Sequence, residues 1–484
     1  MNQKKLNMNL VMNGIKTLMS ILFPFITFPY VTRILSPSSI GEYDYANSII
    51  TYFVLIAGLG VSTYTVRSGT YLRDKREEIN NFISEVFSLN MISTFVAYLL
   101  LAICFIFIDN FREYNISICL FSISIVFKTL GVEWIFSIFE DYRFITIRSI
   151  IFQVISILLL FLFVKNEDDL YIYILINVIA TVGSNLCNFV YARKYCNLCI
   201  RFNKEILKHI KPVFVIFSTS LATIIYINSD TTMLGFLEGT EQVGYYAVAT
   251  KLYNSIKAML NSMVPVFMAR LAYQYREWRE EYNKTFQYAF EMLTFFTIPL
   301  AIGTLFYSNE IIRLISGEEY LQAESAMRIL FFSLIFATLG NLYSSGGLLL
   351  VGKEKGMLYI TIFGAFLNVF TNYRMIPILK CTGAAITTLI TEVVVFFFIY
   401  FLFKKEVKTK VGGIHFIKCM VATIPFGIIK YVFLWKKVDA LSVQLIGIFV
   451  CMICYIFVLY VLKDNFVITI FKNIKKGKIP GKYN

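Results

Sequence analysis

Long apolar runs, separated by short charged segments, occupy almost the whole chain. A helix needs about 20 mainly apolar residues to cross the hydrocarbon core of a bilayer, and the sequence contains fourteen such runs. We predict membrane-spanning helices over residues 10–34, 43–65, 82–108, 116–138, 147–164, 170–191, 212–234, 243–267, 285–306, 323–351, 357–379, 384–403, 414–432 and 443–462. The predicted fold class is therefore an all-α polytopic membrane protein.

The composition supports this class. Hydrophobic residues make up 57% of the 484 residues, and the mean hydropathy is +0.67, which is more apolar than a soluble chain of this size. The net charge is +14, but the basic residues fall mainly in alternate loops, so we do not predict a nucleic-acid partner. The single CxxC pair, Cys196 and Cys199, has no second pair or histidine nearby, and no metal site is predicted.

Lysine and arginine are distributed unequally between the two sets of loops. With the N-terminus inside the cell, the cytoplasmic segments hold 30 basic residues and the opposite segments hold 7. Cytoplasmic loops of membrane proteins carry an excess of Lys and Arg. We therefore predict that both termini are cytoplasmic.

Two parts of the sequence repeat after six predicted spans. The segment SSIGEYDYANSI at 38–49 resembles TEQVGYYAVATKL at 240–252. The matched positions are Gly41, Tyr43 and Ala46 with Gly244, Tyr246 and Ala249. Further along, the Ile-Thr-Ile sequence at 145–147 matches the one at 360–362.

Repeats that lie six spans apart have the same orientation in the membrane, which is the parallel kind of internal repeat. We predict two six-helix lobes around a central cavity, with the N-lobe in residues 1–200 and the C-lobe in residues 201–405. Residues 406–484 are predicted to add two further helices and a basic cytoplasmic tail.

Four predicted spans carry a polar stripe, because their polar residues recur every three or four positions. These are spans one, two, seven and eight, which the repeat makes equivalent. The stripes contain Asn13, Lys16, Thr17, Ser20, Pro24 and Thr27; Asn47, Thr51, Gly58 and Ser62; Thr219, Thr223, Tyr226 and Asp230; and Lys251, Ser255, Ala258 and Ser262, with Asn254 and Asn261 beside the last stripe. Ionisable groups are costly in contact with lipid. We interpret the stripes as the wall of a polar cavity, while contact between polar helices is the simpler alternative.

The ionisable residues within the spans suggest an anionic substrate. Lys16 and Lys251 lie on stripes, and a cationic cavity suits a phosphate or diphosphate. Lys128 and Arg374 can instead extend to the nearer membrane surface. The candidate proton or cation sites are Glu133, Asp230, Glu291 and Glu392, each of which could equally be a helix-pairing residue. No catalytic motif is present in the sequence, so we predict a transporter without a cofactor, and not an enzyme.

Four segments carry a resemblance to a known family. They are FPYVTRILSPSSIGEYDYANSI at 28–49, GVEWIFSIFEDYRFITIRS at 131–149, SDTTMLGF with VGYYAVATKL at 229–252, and TGAAITTLITE at 382–392. The chain resembles the oligosaccharide-lipid flippases that export O-antigen and capsule repeat units, in the superfamily that also holds multidrug extruders and lipid II flippases. It departs from the family at Glu133, where aspartate is more usual, at Ser137–Ile138 and at Arg374.

The resemblance implies two lobes around a cationic cavity that opens alternately to each side of a bacterial cytoplasmic membrane. It implies an undecaprenyl-diphosphate-linked oligosaccharide as substrate, coupling to H+ or Na+, and polysaccharide polymerase or glycosyltransferase partners. The residues expected to contact the substrate are Lys16, Arg33, Arg67 and Lys251 at the diphosphate, Tyr30, Tyr226 and Tyr246 at the sugar rings, and Asn254 beside them. Asp230 is the first candidate for ion coupling.

Three other functions compete with this prediction. A drug/cation antiporter of the same superfamily predicts an anionic cavity, whereas the stripes here hold at least as many cations as carboxylates. A flippase for lipid II or for teichoic-type lipids has nearly the same mechanism and is poorly separated by sequence. A membrane glycan polymerase or ligase would usually need a long outer loop, and the predicted outer loops are short.

Overall fold

A computed structural model describes residues 3–201, 203–407, 409, 411–436 and 440–475. The side chains of three residues of the first predicted stripe, Asn13, Thr17 and Ser20, lie outside the described part. So do residues 476–484 of the predicted basic tail.

All regular structure in these described ranges is helical. The first helices are α1 (Gln3–Val31), α2 (Pro37–Gly58), α3 (Val61–Gly69), α4 (Arg76–Phe107), α5 (Asp109–Glu113), α6 (Asn115–Leu130), α7 (Glu133–Ile138), α8 (Tyr142–Phe163), α9 (Leu170–Ala192) and α10 (Leu207–Glu238). They are followed by α11 (Thr240–Asn261), α12 (Val264–Glu277), α13 (Arg279–Ile315), α14 (Glu324–Tyr343), α15 (Glu354–Glu406), α16 (Ile414–Ala422), α17 (Ile424–Trp435), α18 (Leu441–Val461) and α19 (Asn465–Lys475). Short 3₁₀ segments lie at Lys204–Ile206, Glu318–Ala323 and Leu349–Val351, and a π-helix at Ser344–Leu348.

Eleven helices in the described part of the chain are long and apolar enough to cross a membrane. One of them, α15, contains both the eleventh and the twelfth predicted span. The first and eighth predicted spans are not among the eleven. The first lies mainly in α1, whose part Leu22–Val31 is apolar but shorter than a span, and the eighth lies mainly in α11, which carries a polar stripe. The structure is therefore compatible with about fourteen spans, and the number itself stays a prediction.

The outward surfaces of the helices are rich in large apolar side chains. Phe95, Phe366 and Phe449, for example, are each exposed by about two thirds or more. Apolar surface of this extent is unstable in water and suits contact with lipid. The protein is a multi-pass helical membrane protein.

Contacts divide the chain into two compact units, Met1–Gly244 and Tyr245–Asn484. The first unit extends well beyond residue 200, because α10 packs against α2 and α3. The predicted lobes were drawn from the repeat and not from contacts, so their limits stay a prediction.

A constant offset of 203 residues relates helices in the two halves of the sequence. It separates the first residues of α2 and α11, of α3 and α12, and of α4 and α13. The last residues of α2 and α11 keep the same offset, so the two-residue break after α2 recurs after α11. The repeat predicted from the sequence is therefore present in the helix bounds.

Helix α2 begins and ends at clear local signals. The Ser36 hydroxyl accepts a hydrogen bond of 3.3 Å from the Ser39 N–H, and Pro37 occupies the first helical position. At the other end Leu59 and Gly60 both have left-handed backbone, with φ of 44° and 74°. These two residues end the helix and start α3 in a new direction.

Helix α15 is a pair of helices joined at Lys380, where φ is 53°. The two halves fold back on each other, because Lys353 Nζ at the start lies 3.1 Å from Glu406 Oε2 at the end. Between them the Thr387 hydroxyl donates a hydrogen bond to Asn372, and both side chains are buried. This hairpin supplies a polar interior to the second unit.

The last helices pack on α13 in the second unit. Their shared core includes Ile298 and Tyr307 of α13 with Phe426 of α17 and Tyr455 of α18. This core places the last two predicted spans within the second compact unit.

A buried ion pair connects α17 to α13. Lys430 Nζ donates hydrogen bonds to Glu310 Oε1 at 2.6 Å and to Gln444 Oε1 at 2.8 Å. The Lys430 and Glu310 side chains are only 14% and 7% exposed. Removing one partner of such a pair leaves an uncompensated buried charge, which typically costs about 3–5 kcal/mol.

We expect Lys430→Ala to lower the melting temperature of the detergent-purified protein by several degrees. The matched control is Lys75→Ala, because Lys75 forms an exposed pair with Glu78 and surface pairs are worth about 1 kcal/mol or less. Equal shifts for the two variants would contradict a fastening role for Lys430.

Candidate functional site

A break in the fourth predicted span brings a carboxylate to the site. Helix α6 ends at Leu130, and Val132 takes a left-handed conformation with φ of 37° before α7 begins at Glu133. The Glu133 carboxylate forms an ion pair with Lys16 of α1, whose Nζ atom donates a hydrogen bond to Oε1 at 2.7 Å. It also lies 3.7 Å from the Arg148 guanidinium of α8. Three helices thus converge on one carboxylate.

Arg148 is the most deeply buried member of this group, with 7% of its side chain exposed. Its guanidinium donates to the Ser184 carbonyl and to the Ser149 hydroxyl, both at 3.3 Å. The Nε atom has no hydrogen-bond partner within the described residues. The Nε–H donor of the guanidinium is therefore available for a hydrogen bond to a bound anion.

Lys128 is the third cation near Glu133. It lies two residues before the end of α6, interacts electrostatically with Glu133, and has an exposed side chain. We call Lys16, Lys128, Arg148 and Glu133 the cationic cluster. Three cations surround one carboxylate, which leaves two positive charges in excess and makes the cluster suited to an anion.

Neighbouring contacts fix the geometry of the cluster. The Thr146 hydroxyl of α8 donates to the Met12 carbonyl of α1 at 3.1 Å, so the helices that carry Arg148 and Lys16 are held together. Gly131 lies so close to Asn185 of α9 that a Cβ atom would overlap the amide. Glycine at this position therefore permits the close approach of α6 and α9 next to the break.

Asp141 holds the short loop between α7 and α8 in place. Its carboxylate accepts hydrogen bonds from Tyr195 at 2.6 Å, Tyr191 at 3.1 Å and the Phe144 N–H at 3.3 Å. Burial by itself would raise the pKa of the Asp141 carboxyl, but these hydrogen bonds outweigh it and hold the pKa below its usual value. The Asp141 carboxylate therefore stays ionised and links the start of α8 to the end of α9.

The second half of the repeat has no equivalent charges. An offset of 203 carries Lys16 to Thr219, and the offset of 215 set by the Ile-Thr-Ile match carries Glu133 to Leu348. The same offset places Tyr343 and Phe363 where Lys128 and Arg148 stand. Because the repeat forms without these charges, the fold does not require the cluster, and a function is the better explanation.

Tyr30, expected at a sugar ring, makes contacts within the protein. Its hydroxyl donates to the Val164 carbonyl at 2.8 Å, and its ring packs edge-on against Phe161 at 4.4 Å. These contacts join the end of α1 to the end of α8.

The other predicted residues of the first unit occupy separate places. Asp230 is 6% exposed on α10 and interacts electrostatically with Tyr52 of α2. Tyr226, one turn earlier, is partly buried, whereas Arg33 and Arg67 are exposed at the ends of α1 and α3.

In the second unit, Tyr246 is 2% exposed and its hydroxyl lies 3.4 Å from that of Thr388. Lys251 is partly buried, and Asn254 is exposed one turn further along α11. The roles predicted for these residues stay predictions.

Two of the predicted ion-coupling carboxylates make specific contacts in the second unit. Glu392 is buried and pairs with Lys257 at 2.8 Å. Glu291 accepts a hydrogen bond of 2.8 Å from Gln287, and its carbonyl lies 3.0 Å from His415 of α16. Glu291 thus lies where the last helices pack on α13.

Of the twelve predicted site residues, the structure brings Lys16 and Glu133 into direct contact. The sequence analysis counted Arg148 only among the basic residues assigned to the cytoplasmic segments, and it treated Lys128 as a residue that can extend to the nearer membrane surface. The available signal for Lys128 was its place beside the Gly131-Val132 step within one apolar run, but helical periodicity cannot be followed across a break.

The fold is that of two classes of solved membrane transporters. Lipid II flippase MurJ in an inward closed conformation matches with a TM-score of 0.74 and 18% identity, covering 94% of this chain and 99% of that chain. An inward-facing multidrug MATE family transporter of the MOP superfamily matches with a TM-score of 0.59 and 17% identity, covering 83% of this chain and 100% of that chain. The chain thus has a transporter fold.

The sequence places the chain in a particular family. Residues 7–269 match the family model described as polysaccharide biosynthesis protein, and the chain belongs to that family. The MatE family model matches residues 215–374. The family named from the sequence motifs is confirmed.

Curated relatives include an O-antigen transporter of Shigella dysenteriae, 24% identical over 383 residues, which are 78% of this chain and 94% of the relative. Capsular polysaccharide biosynthesis protein CapF of Staphylococcus aureus is 22% identical over 401 residues, 81% of this chain and 97% of the relative.

Proposed function

We propose that the protein is a flippase. It moves an undecaprenyl-diphosphate-linked oligosaccharide from the cytoplasmic to the outer leaflet of a bacterial cytoplasmic membrane by alternating access. The observation that carries the proposal is the cationic cluster, in which Lys16, Lys128 and Arg148 surround Glu133. The family and the names of its relatives support the same function.

The cluster has the chemistry that a lipid-linked diphosphate requires. The lipid tail stays in the bilayer, while the charged headgroup needs cations and hydrogen-bond donors away from water. The Lys16 ammonium and the Arg148 guanidinium supply charge-assisted hydrogen bonds, and the guanidinium can hold phosphate oxygens in a fork. A drug/cation antiporter is less well supported, because the cluster has an excess of positive charge.

Glu133 serves as the counter-ion of the cluster before the substrate arrives. Its side chain is 44% exposed, so the carboxylate can be displaced without breaking a closed core. A diphosphate that enters the cluster takes over Lys16, and the exchange costs little because one anion replaces another. Release of the headgroup restores the pair.

We retain Asp230 as the first candidate for coupling to H+ or Na+. It is a buried carboxylate in a membrane-spanning helix, which is where coupling residues are commonly found. Glu133, Glu291 and Glu392 remain further candidates.

The proposal is tested in a strain that makes the cognate glycan but lacks this gene. We expect diphosphate-linked repeat units to accumulate on the cytoplasmic leaflet and the intact gene to relieve the accumulation. If repeat units instead reach the outer leaflet and stay unpolymerised, the protein acts after flipping and the proposal fails. The Asp230→Asn variant tests the coupling residue in the same strain. If its transport depends on the ion gradient as strongly as wild-type transport does, Asp230 is not the coupling residue.

A further inference from the structure

The cationic cluster contains a cation that the proposed binding step does not use directly. Lys128 has an exposed side chain near Glu133, while Lys16 and Arg148 lie within 4 Å of the carboxylate oxygens. Lys128 therefore adds charge to the cluster without being needed to orient Glu133.

The count of charges has a chemical meaning. Lys16, Lys128 and Arg148 against Glu133 leave an excess of two positive charges. A diphosphate that joins a lipid to a sugar carries two negative charges near neutral pH, one on each phosphate, whereas a single phosphate in the same place carries one. The cluster is therefore neutralised by a two-phosphate linkage and left positive by a one-phosphate linkage.

We propose that Lys128 and Glu133 set the charge of the cluster so that it selects lipid carriers with two phosphate groups over carriers with one. The inference rests on the proposed function, since it assumes that the cluster binds the headgroup. It adds a specificity role for Lys128 and makes Glu133 a determinant of which carrier is accepted.

Coulomb's law gives this role a measurable signature. The interaction of one site charge with a ligand is proportional to the charge of the ligand, so a change at Lys128 acts about twice as strongly on a dianion as on a monoanion. If loss of Lys128 weakens monoanion binding threefold, it should weaken dianion binding about ninefold. Loss of Lys128 thus lowers the preference for the dianion, and removal of the negative charge of Glu133 should raise it.

The experiment compares two short-chain probes with the same sugar, a farnesyl-diphosphate-linked and a farnesyl-phosphate-linked N-acetylglucosamine. Their dissociation constants are measured by calorimetry on the full-length protein in detergent. We expect wild type to prefer the diphosphate probe by at least about tenfold. Lys128→Gln should reduce that ratio about threefold or more, while Lys128→Arg should keep it.

Two further variants make the result decisive. Glu133→Gln should increase the ratio, and Lys165→Gln, which removes an exposed lysine of the same unit outside the cluster, should leave it unchanged. A ratio that is the same in wild type, Lys128→Gln and Glu133→Gln would overturn the charge-selection inference while leaving the flippase intact. If wild type binds neither probe, binding by the cluster fails and the proposed function fails with it.

Discussion

Replacing Lys16 by glutamate is expected to reduce transport by at least about 100-fold while leaving a normal amount of protein in the membrane. The substitution puts a second carboxylate beside Glu133, where the ammonium now lies at 2.7 Å. Two like charges about 4 Å apart repel by roughly 4 kcal/mol at an effective dielectric constant of 20. Both groups are partly exposed, so solvent screening reduces this energy. The loss of transport that we expect therefore corresponds to less than the full unscreened repulsion.

The charge-swapped double variant, Lys16→Glu with Glu133→Lys, separates pairing from charge. It keeps the excess charge of the cluster and restores an attractive pair, so it should recover part of the transport that the single variant loses. Lys75→Glu is the matched control, because it disrupts an exposed pair with Glu78 of similar length, 2.9 Å. Transport is measured in the complemented deletion strain, with membrane levels determined by blotting. Wild-type transport by Lys16→Glu would refute the role of the cluster.

The second large effect is expected at Gly41, where two backbones meet. A Cβ atom at Gly41 would overlap the Thr240 carbonyl, and a Cβ atom at Gly244 would overlap the Pro37 carbonyl. These positions are equivalent in the repeat, so each glycine lies against the residue four positions before the other. Small residues permit such close approach of membrane helices.

Gly41→Ala is expected to destabilise the protein by about 3 kcal/mol and to reduce transport more than tenfold, because a backbone carbonyl cannot move aside as a side chain can. The control is Gly58→Ala on the same helix, where a Cβ atom meets nothing within 4 Å. Thermal unfolding in detergent and transport in cells measure the two effects. Similar melting temperatures for Gly41→Ala and Gly58→Ala would show that the close approach is unimportant.

Much of the fold could be predicted because the bilayer imposes simple rules on sequence. An apolar run of sufficient length forms a helix whatever its neighbours are, which is why the helices lie where the runs predict them. The match of Gly41 with Gly244 in the sequence also predicted the offset of 203 residues between the helices of the two halves. Glycine is present in both halves because a close backbone contact needs it there. The sequence also predicted two spans within α15, at 357–379 and 384–403, and the backbone reverses between them at Lys380, three residues after Pro377.

The candidate site was harder to predict, since its members come from separate segments. Lys16 was found because it lies on a regular stripe. Lys128 and Glu133 are separated by the left-handed Val132, and a side chain's direction beyond such a residue cannot be extrapolated from helical spacing. Tyr30 shows the same limit: its hydroxyl donates a hydrogen bond to the Val164 carbonyl, a contact that its sequence position at the end of a helix did not indicate, and its role at a sugar ring stays a prediction.

The two halves of the chain have not kept the same length. The offset between them is 203 at the start of α4 and α13 and 215 at the Ile-Thr-Ile match, so the later copy is twelve residues longer in between. The 3₁₀ segment Glu318–Ala323 begins 203 residues after the start of α6, where the earlier copy goes directly into an α-helix. The fold thus accommodates a different length in this region, and the exposed Glu318 and Glu319 offer a place for an epitope or a chemical label that reports which side of the membrane it faces.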